Sequence, residues 1–135
     1  MISARASLRI LAVVSLSLVL SAFAAPEGDF TGTYKLGAAS AAGKDVQLTI
    51  MLTVANNTSS SISNATIALH EPNAGRVTYG KLAGLSFAAG GSTQVSGVFR
   101  VPQSLYQSWQ SGSSPAMSVS YADAHGNPIQ AFIQF

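Results

Sequence analysis

Two histidines, five acidic residues and no cysteine bound the chemistry open to this 135-residue chain. His125 stands two residues after Asp123 and beside Gly126. A carboxylate and an imidazole so spaced could share a metal ion or pass a proton, because histidine titrates near neutral pH. The surrounding run, Asp123-Ala124-His125-Gly126-Asn127-Pro128, is made of turn formers, and a solvated hairpin turn is the reading it favours. His70 has no partner at a metal-ligand spacing. Serine is abundant, yet no Gly-x-Ser-x-Gly elbow is present. Glycoside hydrolysis needs two acids facing one bond; Glu27 and Asp29 are close in sequence but sit in a leader segment, and Glu71 and Asp123 occupy separate turns. Gly90-Gly91 is a hairpin signal and not a phosphate cradle, for no lysine accompanies it. Nothing here asks for a metal or a cofactor. The expectation is a chain that is not an enzyme, with a small hydrolase lacking a recognisable motif as the remote alternative.

Tyr106 and Trp109 are the candidate ligand-contact residues. On one reading their rings form a platform on which a sugar stacks. On the other, Trp109 plugs an end of the fold and Tyr106 bonds a loop. Asn56-Asn57-Thr58, Asn57-Thr58-Ser59 and Asn64-Ala65-Thr66 match the glycosylation acceptor pattern, which has meaning in a eukaryotic secretory host.

The elements that must position these residues are strands. Val46, Leu48, Ile50, Leu52 and Val54 fall on every second position, with Gln47, Thr49, Met51 and Thr53 between them. Alternate residues of a strand face opposite sides, so five apolar side chains line one face. Asn56 to Ser61 breaks this strand with turn formers. A second strand runs to His70 from Ile62 or Asn64, with Ala65, Ile67 and Leu69 inward. A weaker strand spans Arg76 to Lys81, with a short extended stretch at Leu82 to Phe87. Ser92 to Val101 carries Thr93, Val95, Gly97, Phe99 and Val101 on one face, and Pro102 ends it. Leu105 and Trp109, four apart, suggest a helical turn over Ser104 to Trp109. Ala116 to Tyr121 and Ile129 to Phe135 complete the set, and Phe30 to Leu36 opens it. About seven short strands joined by turns predict an all-β, antiparallel sandwich or barrel.

The pattern resembles the immunoglobulin-like and fibronectin-III-like sandwiches of exported bacterial proteins. The stretches that carry it are Val46-Gln47-Leu48-Thr49-Ile50 through Val54-Ala55-Asn56-Asn57, Gly91 to Pro102, and Val119 to Asn127. The resemblance implies an immunoglobulin-like sandwich over 25–135. The disulfide of antibody-type domains is absent, and Trp109 lies outside the position of a core-strand tryptophan. The resemblance implies no activity, since one fold hosts many functions.

The start of the chain reads as a signal peptide over 1–24. Arg5 and Arg9 precede an apolar run from Ile10 to Leu20, and Ala22-Phe23-Ala24 offers small residues at the positions a signal peptidase reads. The cut is placed after Ala24, with Ala25 next. An uncleaved anchor is the alternative, but the run is about half the roughly 20 residues a spanning helix needs. Cleavage leaves five basic residues against five acidic ones. Without a basic stripe, nucleic acid binding loses its first requirement. Without cysteine there is no disulfide framework and no site for a lipid anchor. The expectation is a secreted or periplasmic domain that contacts a protein or a cell-envelope component, with no membrane span after cleavage. A carbohydrate-binding module that takes a glycan through Tyr106 and Trp109 is the alternative.

Overall fold

The computed structural model describes residues 28–72 and 76–135. The expected signal peptide lies outside the described residues. Strand β2 (Asp45–Asn56) shows why the chain folds as it does. Val46, Leu48, Ile50, Leu52 and Val54 are all buried, whereas Gln47 and Met51 are exposed between them. Each large aliphatic side chain gains roughly 1.5–3 kcal/mol on burial. The row therefore contributes on the order of 10 kcal/mol before conformational entropy is subtracted.

Seven strands form two antiparallel sheets packed face to face. One sheet orders β1 (Phe30–Ala42), β2 and β5 (Ser92–Pro102) side by side. The other orders β4 (Thr78–Phe87), β3 (Ile62–His70), β6 (Ala116–Ala122) and β7 (Pro128–Phe132). Inward residues of both sheets meet in one core: the β2 row, Ile67 and Leu69 of β3, Phe99 and Val101 of β5, and Met117 and Val119 of β6. Phe30 seals one end of it, edge-on to Phe87 and to Tyr121 with ring centroids 6.0 Å apart in each case.

Four elements differ in extent from the sequence reading. β1 continues past Leu36 to Ala42, because the Ala- and Gly-rich stretch pairs with β2 as far as Ala42↔Asp45. Its small side chains carry no hydrophobic alternation, so tertiary pairing and not pattern makes it a strand. The pieces expected at Arg76–Lys81 and Leu82–Phe87 form the single strand β4, and Val77 lies before it. Register slips against β3 hide its period. The helical turn is a helix, α1 (Gln103–Gln110), which starts where Pro102 ends the β5 ladder. The last strand stops at Phe132. Ile133 N–H still donates to Met117 O at 2.8 Å, but Gln134 then crosses to the other sheet. There Gly32 N–H donates to Gln134 O and Gln134 N–H to Phe30 O, both at 3.0 Å. The terminal segment thus fastens the sheets along one side. Among the described residues no helix is long and apolar enough to cross a membrane.

Candidate functional site

Chemistry-bearing residues fall into four places. The first is the β6–β7 hairpin. Asp123 does not engage the His125 ring. Its Oδ1 accepts the backbone N–H groups of His125 at 2.8 Å and Asn127 at 2.9 Å. The bond from the Asn127 backbone above all holds the carboxyl below its ordinary pKa; desolvation opposes it, and the His125 backbone and Asn127 side-chain bonds add to the lowering. The pair builds a turn, and its carboxylate is committed to the turn's own backbone and to the Asn127 amide, which donates to Oδ2 at 3.4 Å.

The second place was not visible in the sequence. β3 and β6 pair so that Ala68 opposes Ser118 and His70 opposes Ala116. This brings His70 Nε2 within 2.7 Å of Ser118 Oγ, 48 residues away in sequence. Gln130 of β7 donates to the same hydroxyl at 3.3 Å, and the half-exposed Phe132 ring lies 5.4 Å from the imidazole. A serine and a histidine in contact are the beginning of a nucleophilic pair. Three features oppose that use. Ser118 is wholly buried. The hydrogen bonds of the described residues give His70 no carboxylate to orient it. Desolvation and then the Lys81 charge push the imidazole pKa down, which disfavours the imidazolium that serine attack requires. The cluster ties β3, β6 and β7 together beneath Phe132.

The third place is α1. Trp109 is 5 % exposed and belongs to the core, and Tyr106 is half-buried against it. A cleft of about 420 Å³ runs beside the helix, lined by Glu71, Tyr79, Ser104, Leu105 and Ser108, among others, but by neither Tyr106 nor Trp109. Glu71 is the one acid on this cleft. It follows His70 at the Ala116 end of β6, whereas Asp123 follows the other end. The seven strand residues between them, at roughly 3.3 Å each, put these acids more than about 20 Å apart, beyond the roughly 5–9.5 Å that glycosidase pairs use. Among the described residues no three His, Cys, Asp or Glu side chains group as metal ligands.

The fourth place is the outer face of the β1–β2–β5 sheet, where a groove of about 610 Å³ crosses all three strands. Register dictates its walls. Lys35 opposes Met51 on β2, which opposes Ser96 on β5; Thr33 opposes Thr53, which opposes Gln94. These six residues point away from the core because the β2 row between them points into it. Beside the groove the backbone passes close to its neighbour: a Cβ on Gly37 would meet the Thr49 backbone oxygen at 3.1 Å and the Met51 methyl at 3.5 Å. Met51 remains 39 % exposed, and the more exposed Val98 stands on the same face. The groove offers hydroxyls, one amide, one thioether and one ammonium, and no carboxylate lines it. Sequence reading named the outward residues of β2 but not their neighbours, because the neighbours are set by strand order.

The acceptor asparagines also find their places. Asn56 is fully buried, and its Nδ2 donates to Ser60 O, Phe87 O and Ala88 O at 3.0, 3.4 and 3.3 Å. That amide is committed to the fold. Asn57 Nδ2 donates to Gly28 O and Thr31 Oγ1, each at 3.1 Å. Asn64 is exposed, with a positive φ of 56°. Set beside known proteins, the chain matches no family model, no curated protein and no solved structure.

Proposed function

We propose that the chain is an exported, non-enzymatic immunoglobulin-like domain that works by contact with a protein or cell-envelope partner through the outer face of its three-stranded sheet. The strand order supports the immunoglobulin-like reading. β2 to β3, β4 to β5 and β5 to β6 each cross between sheets, leaving β1–β2–β5 against β4–β3–β6–β7. Crossings of this kind are those of Greek-key sandwiches. Export rests on the amino-terminal signal pattern. The observation that carries the functional reading is the groove over Thr33, Lys35, Met51, Thr53, Gln94 and Ser96. An exposed thioether set among hydroxyls and an amide suits a protein surface, since methionine adapts its shape to what it meets. The Ser118–His70 pair, with its serine buried and no carboxylate bonded to the imidazole among the described residues, supports contact over catalysis.

Photo-crosslinking in the producing cell tests this. A photoreactive amino acid replaces Met51 in one variant, Thr66 on the outer face of the other sheet in a second, and Tyr106 in a third. The expected result is a discrete, protease-sensitive adduct from position 51 and none from position 66. Adducts of equal yield from 51 and 66, or none from 51, would overturn the proposal. A protease-resistant, glycosidase-sensitive adduct from position 106 would favour the carbohydrate-binding alternative.

A further inference from the structure

We infer that the free edge of β1 after its bulge, Ala39–Ala42, pairs antiparallel with the same edge of a second copy. The inference is independent of the groove's partner. It starts from which main-chain groups face outward. Phe30 C=O and Gly32 N–H point away from β2, for both bond Gln134. Alternation carries the outward set to Leu36, which pairs with Ile50. Ala39 pairs with Leu48, two residues along β2, so the slip between them moves the outward set to Ala39 and Ala41. No hydrogen bond from other described residues reaches these outward groups. Ala38, Ala39, Ser40 and Ala41 are all exposed among the described residues, and the one contact at the end of the run is Arg100 Nη2, which donates to Ala42 O at 3.1 Å and leaves the outward groups of Ala39 and Ala41 open.

The other edges carry the devices that blunt pairing. β7 is five residues long and opens with Pro128. β4 slips register against β3 at several points and bears Lys81. β5 bears Arg100, held at 3.0 Å by Asp45. Between Leu36 and Ala42, β1 has no charge and no proline. Its one bulge lies before the run in question.

The occupant is a second copy because the run is self-complementary. A two-fold axis at Ser40 sets Ala39 opposite Ala41 of the other copy, and Ala41 opposite its Ala39. Both pairs then exchange main-chain bonds in both directions, four bonds in all by the antiparallel pattern. Ser40 meets Ser40 on the outer face at the close, non-hydrogen-bonded spacing, where two hydroxyls can bond. Such a contact is isologous and closes at two copies. Lys35 and Lys44 flank the run, and at 0.15 M salt their repulsion is screened over about 8 Å. The paired run is short beside interfaces that bury roughly 1,000 Å² or more, so the association is weak and driven by concentration.

The test uses the secreted chain at physiological salt, with Ser40→Lys and Ser40→Glu. Ser40 is exposed, so both variants should keep the wild-type melting temperature. Sedimentation of the wild type should shift toward dimer as concentration rises toward the millimolar range. Amide chemical shifts should move with it over Leu36–Ala42 and not on the far sheet. Each variant alone should stay monomeric, because like charges face across the axis, and an equimolar mixture should regain the dimer. A wild type that stays monomeric, single variants that associate as the wild type does, or a mixture that does not regain association would overturn the inference.

Discussion

Replacing Asn56 with alanine should cost far more stability than its place in an Asn- and Ser-rich turn suggests. Asn56 ends β2 and is wholly buried. Its Nδ2 reaches three carbonyls, those of Ser60, Phe87 and Ala88. Its Oδ1 accepts Thr58 N–H at 3.0 Å and the Thr58 hydroxyl at 2.7 Å. One side chain therefore joins the β2–β3 turn to the turn that follows β4. In Asn56→Ala the Thr58 groups can turn to water. Phe87 O, whose bond to Asn56 is buried, loses it. A net hydrogen bond is worth about 1 kcal/mol and a stranded buried acceptor about 1–3 kcal/mol, so the expected loss is about 3 kcal/mol. For a chain of this size about 4 °C of melting temperature goes with each kcal/mol, a fall of roughly 12 °C. Asn57→Ala, which removes bonds classed as exposed, should cost less than about 1 kcal/mol. Asn56→Asp adds a pH signature. Its carboxylate would face carbonyl oxygens, so its folded-state pKa lies above the unfolded value of about 3.9. The folded state then holds the proton more tightly, and stability falls as pH rises from about 4 through the folded pKa. Thermal melts from pH 4 to 7.5 read all three variants. An Asn56→Ala melting temperature within about 3 °C of wild type would refute the reasoning.

Two further outcomes follow from packing and charge. Gly32→Ala should destabilise by about 2 kcal/mol or more, because the added methyl meets the backbone oxygen of Thr53 on the paired strand, which cannot step aside; urea titration checks this, and an unchanged midpoint counts against the β1–β2 register. Burial, and then Lys81, lower the pKa of His70 below its unfolded value. The unfolded chain thus takes up a proton first as pH falls below about 6.5, so this stability is full above that pH and drains away on acidification. Melting temperatures at pH 7.5 and 5.5 should differ more in wild type than in His70→Gln, and an equal difference would remove His70 from the account.

The sequence revealed the fold wherever a strand has one wet face and one dry face. β2, β3 and β6 alternate clearly, and their inward residues are the core. It was silent where side chains are small, as in the second half of β1, and where bulges scramble the period, as in β4. There, pairing partners decide, and partners are not written locally. The same division governs the sites. Asp123 is legible as a turn residue, because a turn is local. The contact of His70 with Ser118 and the lining of the groove depend on strand order and register. Trp109 shows a third case: its four-residue spacing from Leu105 disclosed a helix but not which face of it is covered, and the ring lies in the core. Trp109→Ala would therefore report on packing before any ligand.

The account rests on adjacent β2 residues living on opposite sides of a sheet, one sealed and one available for recognition. The chain has no native cysteine, so single thiols at Met51 and Leu52 measure this directly. In folded protein, Met51→Cys should react with a soluble thiol reagent at nearly the rate of a denatured control. Leu52→Cys, whose position is buried against the other sheet, should be slower by orders of magnitude until denaturant is added. Equal rates at the two positions in the folded state, or the reverse order, would contradict the sandwich and the surface assigned to it.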